Sequence, residues 1–306
     1  MGKVRELREE QSEEFAPVSD AARIPIQKTY KLYIGGEFPR TESGLFYKFE
    51  SSDGETVVNV CSSSRKDFRE AVVAARKACS AWAGKSAFNR GQILYRVAEM
   101  LEGRKEQFIA ELCQQGSTRK DAALEVHAAI DRLVYYAGWS DKYQQLFSSV
   151  NPVSSSHFNF SLLEPMGVVS IIAPEESALL GLVSAVAPVI VGGNACVVLA
   201  SKSKPLSSIT FSEVLHSSDV PGGVVNVLTG FRDGLVEHFS SHMDVNAIMC
   251  CDMTAEERKA VQQHAALNVK RVVFNATADW FSENAQSPYI IKESQEIKTT
   301  WHPLGL

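Results

Sequence analysis

The second half of the chain alternates short apolar runs with longer amphipathic stretches. The apolar runs predict five strands, and the stretches between them predict four helices. The strands cover residues 168–172, 195–199, 224–227, 247–250 and 271–274, and the helices cover 177–191, 206–217, 233–240 and 254–266. Because these strands are apolar on both faces, they are typical of a parallel sheet buried between helices. We therefore predict an α/β fold with a doubly wound, Rossmann-like parallel sheet and flanking helices, whose core spans 165–280.

The first half predicts strands and helices that belong to the same domain, over residues 23–152. Apolar residues alternate through KLYIGGEF, where Gly35 and Gly36 indicate a hairpin. They alternate again through 45–60, around a turn at Asp53 and Gly54. Apolar side chains then recur at helical spacing through 65–84, 87–113 and 121–147, which predicts three long helices. Residues 1–22 are rich in Arg and Glu and predict a charged tail or linker.

Two segments outside this alternation predict a small β arm. HFNFSLLEP alternates Phe158, Phe160 and Leu162 with other residues, within a predicted arm strand at 153–164. The segment 281–306 contains IKTTW, which alternates in the same way and predicts a second arm strand. A strand without a crossover helix must pair within the chain or with a partner.

Composition and charge narrow the functional classes. With 306 residues, of which 45% are apolar and 22% charged, the chain can build a large globular core. A net charge of −5 argues against nucleic acid as a partner. The longest apolar run, 178–191, is too short and too broken to span a bilayer, and the charged first residues lack the apolar core of a signal peptide. Six cysteines without a CxxC pair predict reduced thiols, so we expect a cytoplasmic protein that binds no membrane.

Several segments resemble one enzyme family in their order and spacing. EPMGVVSIIAP, APVIVGGNACVVLASKSKPLS and VPGGVVNVLTG follow one another as in aldehyde dehydrogenases, and KLYIGGEFPRTESG and KTTWHPLG resemble the first and last strands of that family. The chain resembles the aldehyde dehydrogenase superfamily, and more narrowly the truncated, non-catalytic second unit of family-16-type tandem aldehyde dehydrogenases. This resemblance implies a retained cofactor-type sheet, an absent catalytic domain and a terminal strand that joins an oligomerisation arm. As partners it implies a second copy of the chain or a full-length aldehyde dehydrogenase.

The match to the family fails at positions that its chemistry needs. Where the family has Pro-Trp-Asn, with the Asn donating to the oxyanion, this chain has Pro174, Glu175 and Glu176. A carboxylate cannot donate, and the loss of one such donor costs about 10²–10³ in rate. The ribose-binding Lys of the family is matched by Ala200, and its Phe-Thr-Gly-Ser by residues 248–251. These departures predict a weakened or lost cofactor site.

The resemblance assigns no catalytic residue. The general-base glutamate of the family is matched by Phe274 or Asn275, and no cysteine follows Cys251 to act as the nucleophile. Cys250 and Cys251 are predicted at the end of a strand, where one of them could be exposed, but no partner base is evident.

A vestigial cofactor site is the remaining candidate. The residues at the turns that lie near the cofactor in the family are Pro174, Ser201, Lys202, Gly230 and Gly234. NAD(P) could still bind there through backbone N–H groups and a helix N-terminus. No metal is predicted, because His238 and His242 have a spacing that can hold zinc but no third ligand.

The sequence leaves three functions open. The first is assembly without catalysis, with itself or with a full NAD(P)-dependent aldehyde dehydrogenase. The second is an active NAD(P)-dependent oxidoreductase that acts on aldehydes through an altered or partner-completed site, and the third is a nucleotide sensor. Glu175 and Glu176 suit a pocket that no longer holds a pyrophosphate, but they could also bind a basic partner or cap the helix predicted from Ser177.

Overall fold

The computed structural model describes residues 26, 28–275, 277 and 279–305, so the predicted tail at 1–22 lies outside the described residues. The first half contains β1 (Phe46–Glu50), β2 (Val57–Cys61), α1 (Arg65–Ala83), α2 (Ala87–Gly103), α3 (Lys105–Gln114), α4 (Arg119–Trp139) and α5 (Tyr143–Phe147). There follow β3 (Ser149–Asn151), β4 (His157–Pro165), β5 (Val168–Ile172), α6 (Leu180–Val191), β6 (Ala195–Leu199), α7 (Leu206–His216) and β7 (Val225–Leu228). The last elements are α8 (Arg232–Ser241), β8 (Ala247–Cys251), α9 (Ala255–Ala266), β9 (Arg271–Asn275), α10 (Pro288–Glu293) and β10 (Gln295–Pro303).

The five predicted strands of the second half form one parallel sheet. Its strand order is β7-β6-β5-β8-β9, so the chain starts at the central β5, moves outward to β7 and returns to the other side of β5. Every residue of β5, β6, β7 and β8 is buried, as expected of strands that are apolar on both faces. The predicted α/β class is confirmed, and each predicted strand end lies within one residue of the observed end.

Alternate side chains of each central strand enter two separate cores. Val169 and Ile171 of β5 pack with α2, α4, α6 and α7 on one side of the sheet. Val168 and Ile172 pack with α1, α8 and α9 on the other side. Helix α6 is buried on all sides because α4 and α10 cover the face that points away from the sheet. In the described part of the chain, no helix has both the length and the apolar character needed to cross a bilayer.

Two of the three long helices predicted in the first half are each divided in two. The predicted helix 87–113 breaks between α2 and α3, where the Arg104 N–H turns back to the carbonyl oxygen of Leu101 (3.1 Å) just after Gly103, a residue that disfavours helix. The predicted helix 121–147 breaks after α4, where Ser140 packs against Gly91 of α2. The apolar spacing continues through both breaks, so periodicity could not locate them.

The predicted β arm is a three-stranded antiparallel sheet in the order β10-β4-β3. The terminal strand therefore pairs within its own chain, with Thr299 opposite Ser161 at the middle of the ladder. Strand β10 begins only at Gln295, because the residues before it form α10, where Pro288 is the first residue and Ser287 caps the helix by accepting from the N–H of Tyr289 (3.2 Å). The hairpin predicted at Gly35 and Gly36 is confirmed, since Ile34 and Glu37 exchange backbone hydrogen bonds across it (3.0 Å each). Strands β1 and β2 form the second predicted hairpin, and Tyr33 pairs with Val227 of β7.

Candidate functional site

Four loops meet at the carboxyl edge of the parallel sheet, where open α/β sheets bind their ligands. They follow β5, β6, β7 and β8. Pro174, Ser201, Lys202 and Gly230 lie in these loops, so the structure brings four of the five predicted cofactor residues to one edge. Gly234 is instead in the first turn of α8, where it is exposed.

The carboxylate of Glu175 fills the loop that follows β6. Its Oε2 accepts hydrogen bonds from the hydroxyls of Ser201 (2.9 Å) and Ser203 (3.0 Å). The same oxygen accepts from the backbone N–H groups of Lys202 (3.1 Å) and Ser203 (3.3 Å). Successive backbone N–H groups of this kind form a concave anion site. In this chain the anion is a side chain of the protein itself.

Arg232 ties Glu175 to the other loops of the edge. Its Nε lies 3.2 Å from Glu175 Oε1, and its Nη2 donates to the carbonyl oxygen of Ala173 (2.7 Å). Its Nη1 donates to the carbonyl oxygen of Asp252 (3.2 Å), while Asp252 Oδ2 accepts from the N–H of Glu175 (2.9 Å). The ion pair is mostly withdrawn from water, because 15% of the Arg232 side chain and 28% of the Glu175 side chain are exposed. One ionic network therefore links the ends of β5, β6 and β8 to the first turn of α8.

The neighbouring Glu176 has the opposite environment. Its side chain is 86% exposed, and Lys204 Nζ donates to its Oε2 (2.8 Å) and to its backbone carbonyl oxygen (2.9 Å). Glu176 stands where the family resemblance places the oxyanion-binding Asn, and it presents a negative charge that already has a cationic partner. The carboxylate has no hydrogen to donate, and a negative group there would repel an oxyanion.

A third carboxylate, Glu125 of α4, occupies the N-terminus of α6. Its Oε1 accepts from the backbone N–H groups of Leu179 (3.0 Å) and Leu180 (3.1 Å) and from the hydroxyl of Ser177 (3.3 Å). The idea that Glu175 or Glu176 caps this helix is therefore wrong. Sequence reasoning missed Glu125, although a glutamate beside Val126 on the apolar face of a predicted helix is an unusual residue in that place.

Lys202 places its ammonium group against an aromatic ring of the loop that follows β7. Its Nζ lies 4.5 Å from the ring centroid of Phe231, a cation–π contact, and that ring also contacts Tyr47 (5.5 Å between centroids). The Tyr47 hydroxyl donates to the carbonyl oxygen of Lys202 (3.3 Å). Burial, with a further contribution from the charge of Glu175, raises the pKa of Tyr47 well above its usual range. Lys202 thus fixes the loop rather than offering a free ammonium group.

The turn at Gly230 is covered by the chain itself. Gly230 has a φ of +150°, and a Cβ added there would lie 3.2 Å from the backbone N of Ser63. Ser63 N–H donates to the carbonyl oxygen of Thr229 (2.8 Å), and the Thr229 hydroxyl donates to the carbonyl oxygen of Cys61 (2.6 Å). The close approach that glycine permits here is made by residues 61–63, not left open for a ligand.

The adjacent cysteines are buried inside the sheet. Cys250 and Cys251 lie in β8 with at most 1% exposure. Burial raises the pKa of the Cys250 thiol to about 12 and that of Cys251 higher still. The expectation that one of them could be exposed is wrong, because the turn starts only at Asp252, whose φ of +53° is a conformation that usually favours glycine.

Three anion-binding features of this edge are thus satisfied internally, while the N-terminus of α8 has no side-chain cap. The loop amides after β6 hold Glu175, the N-terminus of α6 holds Glu125, and Arg232 is paired. Among the described residues, no group of three or more His, Cys, Asp or Glu side chains is arranged to hold a metal.

Comparison with known proteins gives matches along most of the chain. The sequence profile of the "Aldehyde dehydrogenase family" matches residues 39–295. The chain is 28% identical over 301 residues to an aldehyde dehydrogenase of Aspergillus niger, in an alignment that covers 96% of this chain and 58% of the relative. It is 29% identical over 279 residues to the cytosolic 10-formyltetrahydrofolate dehydrogenase of Mus musculus, covering 88% of this chain and 31% of the relative.

A solved structure shows the same arrangement of elements. PnpE from Pseudomonas sp. WBC-3 superposes with a TM-score of 0.77 at 28% identity, covering 81% of this chain and 50% of that protein. The chain therefore spans between 31% and 58% of the length of these three proteins.

Proposed function

Because this chain belongs to the aldehyde dehydrogenase family, we propose that it is a member without catalysis of its own, which acts in assembly. Its partner would be a second copy of the chain or a full NAD(P)-dependent aldehyde dehydrogenase. In this proposal it corresponds to the truncated second unit of family-16-type tandem aldehyde dehydrogenases and works in the cytoplasm.

The occupied carboxyl edge is the observation that carries the proposal. A dinucleotide brings a pyrophosphate to the loop amides and helix N-terminus at such an edge. Here a pyrophosphate would have to displace the carboxylates of Glu175 and Glu125 from their hydrogen bonds, and it would meet their charge and that of Glu176. A reaction that develops an oxyanion would meet the same negative field.

The β arm supports an assembly role. On one face of this sheet Val150, Phe158 and Leu162 are exposed by 67%, 43% and 41%, and they line an open groove of about 290 Å³ together with Phe160. A contiguous apolar surface of this kind is typical of an interaction site. Strands β3 and β10 also have outer edges that pair with no other strand among the described residues, so a second copy can extend the sheet.

The first test combines calorimetry with light scattering on the purified chain. We expect no heat of binding when NAD⁺ or NADP⁺ is added to millimolar concentration, and a mass above that of one chain. A dissociation constant in the micromolar range would contradict the non-catalytic proposal and favour the alternative, an active oxidoreductase that acts on aldehydes through an altered or partner-completed site.

The second test asks whether the arm, rather than another part of the surface, holds the assembly together. Phe158→Asp places a charge on the exposed face of β4, and Phe281→Asp places the same charge on a phenylalanine outside the arm that is 55% exposed. We expect the first variant to dissociate to single chains and the second to keep the mass of the unmodified protein. Equal masses for both variants would show that this face of the arm does not hold the assembly together.

A further inference from the structure

A basic cleft lies on the face of the molecule formed by α1 and α8, away from the carboxyl edge. It has a volume of about 290 Å³, and its walls include Arg65 and Arg69 of α1 and His238 and His242 at the end of α8. Phe68 is buried behind the cleft, where its ring meets that of His242 edge to face (5.7 Å between centroids). No side chain that lines the cleft in the described part of the chain carries a negative charge.

Among the described residues, the two arginines of the cleft have no ion-pair partner. Within the residues that the structure describes, no carboxylate oxygen lies within 4.0 Å of either guanidinium group. By contrast, the exposed Arg96 and Arg119 pair with Glu99 (3.0 Å) and Glu106 (2.7 Å). Arg65 and Arg69 are one helical turn apart, so both side chains project over the same cleft.

Lys270 adds to the positive potential near the cleft. The N-terminus of α1 does not add to it, because its first turn is already capped by Ser64 and by the carboxylate of Asp67. The C-terminus of α8 carries a partial negative charge that would repel an anion. The ammonium group of Lys270 donates to the carbonyl oxygens of His242 (2.8 Å) and Val245 (2.6 Å), and its positive charge offsets that repulsion. Burial lowers the pKa of His242, and the charges of Lys270, Arg65 and Arg69 lower it further, while Asp244 partly opposes them.

The histidines offer hydrogen-bond donors to the same space. The Nδ1 of His242 accepts from the N–H of Asp244 (3.2 Å), so the neutral ring carries its hydrogen on Nε2. His238 lies one turn earlier on α8 and lines the cleft beside it. Two guanidinium groups and two imidazole rings form a donor set that matches the oxygens of a phosphate group.

We propose that this cleft binds a phosphate dianion, either inorganic phosphate or the phosphate of a small phosphomonoester. Arg65 and Arg69 would supply the charge, and His238 and His242 would supply further donors. The cleft has more room than a phosphate group needs, so an organic substituent can be accommodated. The proposal is independent of the assembly role and of the state of the carboxyl edge.

The test is calorimetric titration with inorganic phosphate at constant ionic strength. The double variant Arg65→Gln, Arg69→Gln removes two exposed charges of the cleft, and Arg96→Gln, Arg119→Gln removes two exposed charges elsewhere as the matched control. We expect saturable binding to the unmodified chain and to the control, and binding weaker by about tenfold or more in the cleft variant. Absence of saturable heat in the unmodified chain, or equal affinity of the two double variants, would overturn the proposal.

A second measurement follows the ring signals of the two histidines by NMR. Phosphate should shift the ring signals of His238 and raise the pKa of His242 in the unmodified chain, and not in the cleft variant. An unchanged pKa of His242 at saturating phosphate would contradict the assigned position. Titration with glucose 6-phosphate distinguishes the two candidate ligands. If glucose 6-phosphate binds more tightly than inorganic phosphate does, the ligand is a phosphomonoester. If the two bind equally, the cleft recognises the phosphate group alone.

Discussion

At the scale of single residues, two adjacent glutamates have opposite roles. Glu175 turns inward to accept from the loop after β6 and to pair with Arg232, whereas Glu176 extends into solvent beside Lys204. Chemically identical side chains one position apart therefore contribute very differently to stability, because only one of them is withdrawn from water.

Truncation of the two glutamates measures this difference. Glu175→Ala leaves Arg232 and the hydroxyl and amide donors of the loop without their acceptor, so we expect the free energy of unfolding to fall by about 1–3 kcal/mol. Glu176→Ala removes an exposed ion pair and should change it by less than about 0.5 kcal/mol. Urea unfolding of both variants checks the prediction, and equal losses would mean that the Glu175 network stabilises nothing.

The candidate site was only partly predictable from these residues. The negative charge of the pair after Pro174 is visible in the sequence and predicts a weakened or lost pyrophosphate site. Which glutamate turns inward depends on Ser201 and Asp252, which lie in two other loops, and on Arg232 at the start of α8. Glu125 lies 54 residues before Leu179 along the chain, so its contact with α6 exists only in the folded protein.

At the scale of elements, strand β8 makes its two thiols unreactive. It is flanked by β5 and β9 and covered on both faces, and burial raises the pKa of Cys250 to about 12. A thiol must ionise and be reached by the reagent in order to react. These constraints apply to both Cys250 and Cys251 for as long as the sheet is intact.

Alkylation of the native protein tests this consequence. At neutral pH we expect iodoacetamide to modify the half-buried Cys113 before Cys250 or Cys251, as read by peptide mass spectrometry. Unfolding in urea should make all three react at similar rates. Fast modification of Cys250 in the native chain would reopen a nucleophilic role for it.

Elements were predictable where a local pattern and the tertiary environment agree. The strands of the parallel sheet are apolar because both faces are buried, so their ends were placed within one residue. Periodicity does not predict the breaks at Arg104 and Ser140, because the apolar spacing continues through both. The first follows Gly103, and the second lies where Ser140 packs against Gly91. The sequence does not predict whether β10 pairs within the chain or with a partner, because an alternating strand does not specify its neighbour. In the structure it pairs with β4.

At the scale of the whole molecule, several tyrosine and cysteine side chains are buried in their neutral, protonated form. Burial raises the pKa of Tyr33 to about 12 and that of Tyr30, Tyr136 and Cys196 above that value. In the unfolded chain these groups ionise near their ordinary pKa of 9.0 for Cys and 10.0 for Tyr. Above those values the unfolded state binds fewer protons than the folded state, so stability falls as pH rises.

Unfolding at two pH values checks the sign of this dependence. We expect the midpoint of urea unfolding to be lower at about pH 10.5 than at about pH 8, because each such group disfavours the folded state by up to about 1.4 kcal/mol per pH unit above its unfolded pKa. Refolding after return to pH 8 is the control for chemical damage. A midpoint that is unchanged or higher at alkaline pH would contradict the prediction.

The pairing of β4 with β10 also bears on the order in which the protein folds during synthesis. Ser161 and Thr299, which face each other in the arm, are 138 residues apart, and the whole parallel sheet lies between them. A ribosome adds about 5–20 residues per second, so several seconds or more pass between the synthesis of β4 and that of β10. During that interval β4 presents Phe158, Phe160 and Leu162 beside an unpaired edge, and a nascent chain on an adjacent ribosome could offer its own strand first. Exchange of β10 between neighbouring chains is therefore the misassembly to which this fold is most exposed.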